Sequence, residues 1–180
     1  MEHDDIAKGF VHWVGTFSKL SKPVTTLSDL TDGIVLFEIC AEIDRQWFKS
    51  IRSTDMGDNW ILSLNNLKKL YRLVTQYYEE VLGYPATRLD EPDLSTIAKH
   101  DNSEELLKLC HLILTLAVQC EKNQVYIGKI MSLGEDDQRS LMVSIESVLA
   151  QLGSVDNESD SDNNDMEIFD AQHHDEGIDP

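Results

Sequence analysis

The sequence predicts an all-α domain over residues 1–153, followed by a disordered acidic segment over residues 154–180. Three observations support this prediction. Apolar residues recur with helical spacing from residue 6 to residue 152, no stretch shows the strict alternation of a half-buried strand, and the composition becomes polar and acidic after residue 155. A chain of 180 residues is long enough for one domain with a sizeable core and a tail.

Two helices are predicted in the N-terminal part of the chain. Residues 6–20 place apolar side chains three and four positions apart, which is typical of a helix with one buried face. Residues 28–43 show the same spacing, and Ser28 and Asp29 are candidate caps for the start of this helix. Gly33 lies inside the second segment, where glycine costs about 1 kcal/mol relative to alanine. We therefore expect a neighbouring helix to pack closely against Gly33.

A long helix is predicted over residues 59–83, after a loop over residues 52–60. Gly83 and Pro85 follow in the order that is common at helix C-termini, because glycine adopts the conformation that ends a helix and proline cannot continue it. Residues 90–101 are then expected to form a short helical turn.

The most apolar helix, over residues 103–120, is predicted to be the central one. Its longest apolar run is interrupted by Lys108 and His111 and falls short of the roughly 20 apolar residues that a membrane span needs. Two further helices, over residues 123–133 and about 135–152, complete the predicted domain. The last of them is amphipathic and has acidic residues in its first turn, where they favour the helix dipole.

The net charge of −18 is distributed unevenly. Ten of the 33 acidic residues lie between Asp156 and Pro180, a segment without Lys or Arg, so the first 155 residues carry 23 acids against 15 bases. Neither part offers the basic field that attracts nucleic acid or an anionic membrane. The sequence therefore predicts no nucleic-acid partner and no membrane insertion. Since actin and tubulin surfaces are also acidic, direct binding to a filament is a secondary candidate.

No motif indicates catalysis. The chain contains no nucleophile elbow, Walker loop or GxGxxG sequence, and His12 and His111 lie in amphipathic helices where a structural role is expected. Cys40, Cys110 and Cys120 have no CxxC spacing, which predicts buried, reduced thiols and a cytoplasmic protein. We therefore expect a protein without enzymatic activity, cofactor or bound metal.

The acidic segment has two candidate roles beyond solubility. Oxygen-bearing side chains from Asp156 follow the spacing of a calcium-binding loop, but Ser161 occupies the position that requires glycine, which argues against such a site. Ser159 and Ser161 are surrounded by acidic residues and are candidate phosphorylation sites. The alternative is a charge run that only keeps the protein in solution.

Several motifs resemble a known family. The sequence "DLTDGIVLFEI" is similar to the signature helix of calponin-homology domains. The order of "WVGTF", "LSDLTDGIVLFEICAEIDRQWF", "GDNWILSLNNLKKLY" and "LILTLAVQCEKNQVYIGKIMSL" along the chain resembles the Hook family of dynein adaptors. The resemblance covers about residues 6 to 152. Hook-related proteins such as girdin are the nearest alternative. The residues that carry the first motif are Asp29, Leu30, Asp32, Gly33 and Leu36, with Trp13 as the expected aromatic of the first helix.

The resemblance implies a calponin-homology-like helical domain with one extra C-terminal helix. In that family, a groove beside the extra helix binds an amphipathic helix of the dynein light intermediate chain. A downstream coiled coil contacts dynein and dynactin, and a C-terminal region attaches cargo such as early endosomes. We therefore expect a cytoplasmic adaptor associated with microtubules or endosomes. Because no coiled-coil heptads occur before residue 180, the chain is interpreted as an N-terminal fragment or as a protein without the motor-activating part.

The family's contact positions fall on Met131, Gln138 and Ile145 of this sequence. The pattern of the last helix is compatible with that role, because a glutamine beside an apolar stripe can bond a partner's backbone while methionines fill irregular gaps. We expect one part of the stripe to pack on the domain itself and another part to face the partner; the alternative is that the whole stripe is core. The expected buried residues are Leu141, Val148 and Leu152, and the expected partner-binding residues are Met131, Gln138, Leu141, Met142, Ile145 and Leu149.

Overall fold

The computed structural model describes residues 2–49 and 59–153. No residue in these two ranges forms a strand, so the all-α prediction is confirmed. The helices in chain order are α1 (Glu2–Val14), α2 (Ile34–Ile43), α3 (Trp60–Glu80), α4 (Leu94–His100), α5 (Ser103–Gln119), α6 (Asn123–Met131) and α7 (Glu135–Gly153), with short 3-10 helices at Leu27–Leu30 and Ala86–Arg88.

Two sequence predictions concern residues outside the described ranges. The loop expected over residues 52–60 falls there except for its last two residues. The acidic segment over residues 154–180 falls there entirely, and with it the candidate phosphorylation sites Ser159 and Ser161. These remain predictions from the sequence.

Helix α5 occupies the centre of the domain, as its apolar sequence predicts. It contacts each of the other six α-helices, and its side chains are buried on nearly every face between Leu106 and Val118. Asn102 begins the helix, because its side-chain oxygen accepts a hydrogen bond of 3.0 Å from the backbone N–H of Glu105. None of the helices in the described ranges combines the length and the apolarity that crossing a bilayer requires.

The helix predicted over residues 28–43 is interrupted at Gly33. This glycine has a φ of +80°, so the chain forms a 3-10 helix first and α2 begins only at Ile34. A Cβ at Gly33 would lie 3.3 Å from side-chain atoms of both Asn66 and Leu67 on α3. The expected close approach of a neighbouring helix is therefore confirmed, but its cause is a left-handed turn before the helix rather than a glycine within it.

All three cysteines are free thiols buried in the core, as the sequence predicts. Burial raises the pKa of the Cys40 and Cys110 thiols well above the ordinary value, and it also raises the pKa of Cys120. Since the thiolate is the reactive form, these side chains are unreactive packing groups.

The position of α7 depends on a close contact with α1. A Cβ placed on Gly9 of α1 would lie 3.4 Å from the Asp137 backbone oxygen and 3.5 Å from side-chain atoms of Ser140 and Leu141. On the same side, the His12 Nδ1 and Asp137 Oδ2 atoms are 2.7 Å apart. The space between the two helices therefore admits only a small residue at position 9, and the polar pair lies at the solvent edge of the contact.

His111 of α5 is mostly buried near His3 of α1. Its Nε2 atom has no hydrogen-bond partner within the described part of the chain. Burial, together with the nearby His3, lowers the pKa of His111 to about 4. The folded domain therefore holds this imidazole in its neutral form.

We predict that a large side chain at Gly9 separates α1 from α7. Gly9→Leu should lower the free energy of unfolding by about 1–3 kcal/mol, because the added atoms have no space between the helices. Gly9→Ala is the matched control: its Cβ makes ordinary contacts, and alanine favours the helix by up to about 1 kcal/mol. Urea unfolding of both variants measures the difference, and equal stability of the two would contradict a close contact.

We also predict that His111 weakens the fold in acid. An unfolded chain binds a proton at His111 below about pH 6.5, whereas the folded chain binds it only below pH 4. Stability due to this group is therefore complete above pH 6.5 and is lost as the pH falls to 4, by about 2–3 kcal/mol. His111→Leu should remove this part of the pH dependence in urea titrations, whereas the exposed control His100→Leu should retain it.

Candidate functional site

Helix α7 buries a wider face than its sequence predicts. Leu141, Val148 and Leu152 are buried, as expected. Ile145 and Leu149, which we expected to face a partner, are only 3% and 7% exposed, and Leu141, which was also among the expected partner-binding residues, is fully buried. The exposure expected of these three side chains is therefore wrong, and their contact with a partner stays a prediction. The physical reason is that α7 packs against α1, α5 and α6 together, and three neighbours cover a broader sector of a helix than one neighbour does.

Gln138 connects the start of α7 to the end of α6. Its Nε2 group donates hydrogen bonds to the backbone oxygens of Leu133, at 2.7 Å, and of Met131, at 3.2 Å. Carbonyl groups at the end of a helix have no partner within that helix, and Gln138 supplies one. The sequence pattern predicted only a role in partner binding. The structural role could have been found from the short spacing between Gln138 and the end of the preceding helix.

Gln138 bonds the backbone of two apolar residues and lies one helical turn before a third, and we call the four together the α6–α7 edge: Met131, Leu133, Gln138 and Met142. Met131 is 44% exposed, and Leu133 and Met142 are half-buried. The Gln138 side-chain oxygen accepts no hydrogen bond from any residue within 2–49 or 59–153. The edge therefore offers a hydrogen-bond acceptor beside flexible thioether side chains, which is the chemistry of a surface that binds an apolar helix.

Both ends of α7 are attached to other parts of the domain. At its C-terminal end, Arg88 Nη1 donates a hydrogen bond of 2.7 Å to the Leu152 backbone oxygen, and the Asp90 backbone N–H donates one of 2.9 Å to the Gln151 side chain. At its N-terminal end, Gln138 attaches it to α6. The α6–α7 edge is thus supported by a helix with little freedom to rotate about its axis.

Gly134, in the turn between α6 and α7, is the hinge position suggested by the sequence. A Cβ at this position would contact nothing within 4 Å, and its backbone does not require glycine. An alanine at position 134 would therefore meet no steric obstacle.

The opposite side of the α7 start is polar. A depression of about 730 Å³ between α1 and α7 is lined by charged side chains of both signs, including Asp5, Lys8, Glu135 and Arg139. In the described ranges of the chain, no three His, Cys, Asp or Glu side chains converge as metal ligands would. This depression has neither the apolar lining nor the convergent groups of a small-molecule site.

We predict that Ile145 contributes more to stability than Met142. Ile145→Ala should lower the free energy of unfolding by about 2–5 kcal/mol, because it leaves a cavity in the core. Met142→Ala should cost about 1 kcal/mol, since half of its side chain is already in water. Urea unfolding monitored by circular dichroism measures both values. Similar values for the two variants would mean that the α6–α7 edge is not distinct from the core.

Comparison with known proteins supports the family resemblance. A family model described as the HOOK domain matches residues 5–147. Protein Hook homolog 2 of Xenopus laevis is 34% identical over 154 residues, which cover 83% of this chain and 21% of that protein. Protein Hook homolog 3 of Homo sapiens is 32% identical over 160 residues, which cover 86% of this chain and 22% of that protein. The chain thus spans about a fifth of the length of these curated relatives.

A solved structure agrees with this result. The solution structure of the conserved domain of mouse HOOK1 matches with a TM-score of 0.74 at 34% identity, covering 82% of this chain and 92% of that one. The family match, the relatives and the shared helical fold agree over the same part of the sequence. The chain therefore belongs to the Hook family and contains its N-terminal HOOK domain.

Proposed function

We propose that this domain is a non-enzymatic adaptor module that binds an amphipathic helix of the dynein light intermediate chain. In this proposal it links dynein to cargo, such as endosomes, that is moved along microtubules. The observation that supports it best is the α6–α7 edge, which combines the exposed Met131 and the half-buried Met142 with the side-chain oxygen of Gln138. Membership of the Hook family supports the adaptor class.

The edge suits an apolar helix better than a small molecule. A guest helix can place its apolar stripe over Met131 and Met142, whose side chains adapt to its shape. Each methionine brought from water into such a contact contributes about 1.5–3 kcal/mol when its burial is complete. At the start of the guest helix, backbone N–H groups lack partners within the helix, and the Gln138 oxygen can accept a bond from one of them.

Contact with Ile145 requires a movement of α7. Ile145 is 3% exposed, so a guest helix meets Met131, Gln138 and Met142 first. To uncover Ile145 and Leu149, α7 would have to shift against α1, α5 and α6 and disturb the hydrogen bonds that attach its two ends. The movement and the ordering of the guest helix both subtract from the contact energy, so we expect an affinity of about micromolar.

Charge distinguishes this proposal from binding to actin or microtubules. The first 155 residues have an excess of acids, 23 against 15 bases, and filament surfaces are also acidic. The acidic domain and an acidic filament therefore repel each other as they approach. Binding of a guest helix at the α6–α7 edge is apolar and does not depend on this repulsion. We therefore expect no sedimentation of the protein with either filament at physiological salt.

We predict that lysine at the α6–α7 edge abolishes most of the binding. Met131→Lys and Met142→Lys should each weaken binding of a light intermediate chain helix peptide by about 10- to 100-fold, the equivalent of one lost apolar burial. Fluorescence anisotropy with a labelled peptide measures the dissociation constants. The edge is chosen over Ile145 because substitution of a core residue would confound binding with unfolding.

Matched controls exist on the same two helices. Val125 of α6 and Val143 of α7 are 52% and 38% exposed, and each lies on another face of its helix. Val125→Lys and Val143→Lys add the same charge and should leave the dissociation constant unchanged. If the two methionine variants bind the peptide as the wild-type chain does, or if all four variants weaken binding equally, the proposed site is wrong.

A further inference from the structure

A second surface, separate from the α6–α7 edge, lies on the outer face of α3. We call it the α3 strip, and all its residues lie on one side of that helix. Trp60 and Ile61 are 39% and 51% exposed, which is high for side chains of this size. The ring of Trp60 is covered in part by Lys99, whose Nζ atom lies 4.5 Å from its centroid. The members of the strip are Trp60, Ile61, Leu64, Lys68 and Arg72.

The α3 strip is basic in an acidic protein. Between Trp60 and Tyr78 the helix carries Lys68, Lys69 and Arg72 but no Asp or Glu. In the part of the chain that the structure describes, none of these three bases has an ion-pair partner. Lys68 and Arg72 are exposed and one helical turn apart, so their charges add on the same side of α3.

The nearest acidic residues are already partly engaged. Asp90 lies 3.6 Å from Lys108, and the Asp93 carboxylate accepts a hydrogen bond from Thr96 at the start of α4. Glu91 and Asp93 share a depression with Leu64 and Lys68, so they offset part of the Lys68 charge. Arg72 lies outside that depression, and with three bases and no acid between Trp60 and Tyr78 the helix still carries positive charge that can attract an acidic ligand.

The end of α7 brings the chain to the same side of the domain. The Leu152 backbone oxygen is bonded to Arg88, and Gln151 is bonded to the backbone of Asp90. The residues that follow Asp90 in the sequence, 91–95, line the depression that also contains Leu64 and Lys68. The described part of the chain thus ends, at Gly153, on the side of the domain that carries this depression.

We propose that residues 156–170 bind the α3 strip of the same chain. This segment contains seven acidic residues and no basic one, so its charge is opposite to that of Lys68 and Arg72. It also contains Met166, Ile168 and Phe169, which can cover the exposed Trp60 and Ile61. Charge and apolar character are therefore both complementary.

The length of the connection is sufficient. Thirteen residues lead from Gly153 to Met166 and reach up to about 45 Å when extended. The α3 strip from Trp60 to Arg72 is about 18 Å long, at 1.5 Å per helical residue. A tether of this size gives an effective concentration of about millimolar, so contacts that would be weak between separate molecules hold the segment within one chain.

Phosphorylation would strengthen this contact. Ser159 and Ser161 lie within the proposed binding segment, and each phosphate adds a charge of about −1.5 to −2 near neutral pH. Lys68 and Arg72 are suitable partners for such groups. The modification would thus act through charge on an existing contact.

The test uses the full chain with a spin label on a new cysteine, Ala171→Cys, since the three native thiols are buried. In the nuclear magnetic resonance spectrum, the label should broaden the amide signals of the α3 strip. Lys68→Glu with Arg72→Glu should reduce this broadening by at least roughly fivefold, because two attractive charges become repulsive. The matched control, Lys19→Glu with Lys122→Glu, changes two exposed lysines elsewhere by the same charge and should leave the broadening unchanged.

Three further measurements test whether the broadening arises from charge attraction within a single chain. Salt of about 0.5 M should reduce the broadening, because it shortens the range of charge attraction to a few ångströms. Phosphorylation of Ser159 and Ser161 should raise the salt concentration needed for that reduction. A mixture of isotope-labelled chains without spin label and unlabelled chains with it should show no broadening. Absent broadening in the single chain, equal loss in both double variants, or broadening in the mixture, which would mean binding to a second copy, each overturns the proposal.

Discussion

Burial of α5 on nearly all its faces is the constraint on which the other helices depend. A helix that is apolar all round must be covered on every side, and here six helices contact it. Each of them consequently contributes only a part of its own apolar surface to this contact. The arrangement fixes the position of α7, which packs on α5 from one side and on α1 from another, where Gly9 allows a close approach.

The proposed function depends on which part of α7 is buried in the domain and which part stays accessible. The apolar stripe of α7 is buried against α1, α5 and α6 as far as Leu149. Met142 is only half-buried and lies at the edge of this packed surface. A binding surface at such a border needs no large exposed apolar patch, which would favour aggregation. A guest helix would complete a burial that the domain has begun, and the methionine side chains would need only to change their rotamers.

The sequence predicts the existence, order and type of the helices well, because apolar periodicity is a local property. It predicts α5 as the central helix for the same reason, since its apolar residues lie on all faces. The break at Gly33 and the burial of Ile145 are different in kind. The first depends on a left-handed conformation, and the second depends on how many neighbours surround α7, and neither is encoded in the spacing of apolar residues alone. The site predicted from the sequence consequently extends too far into the buried face of α7.

Gln138 has a structural role in the domain and is also a residue of the proposed binding surface. Its Nε2 group donates to the backbone oxygens of Met131, the last residue of α6, and of Leu133, and its side-chain oxygen accepts no hydrogen bond from the described residues. A guest that bonds this oxygen would polarise the amide and strengthen the bond that joins α6 to α7, since linked hydrogen bonds reinforce one another. Binding at the α6–α7 edge would then stabilise the turn on which the edge itself depends. The affinity of this surface would therefore depend on the order of the turn. A partner that bonds Gln138 would gain binding free energy by stabilising the turn, whereas a partner that contacts only Met131 would not.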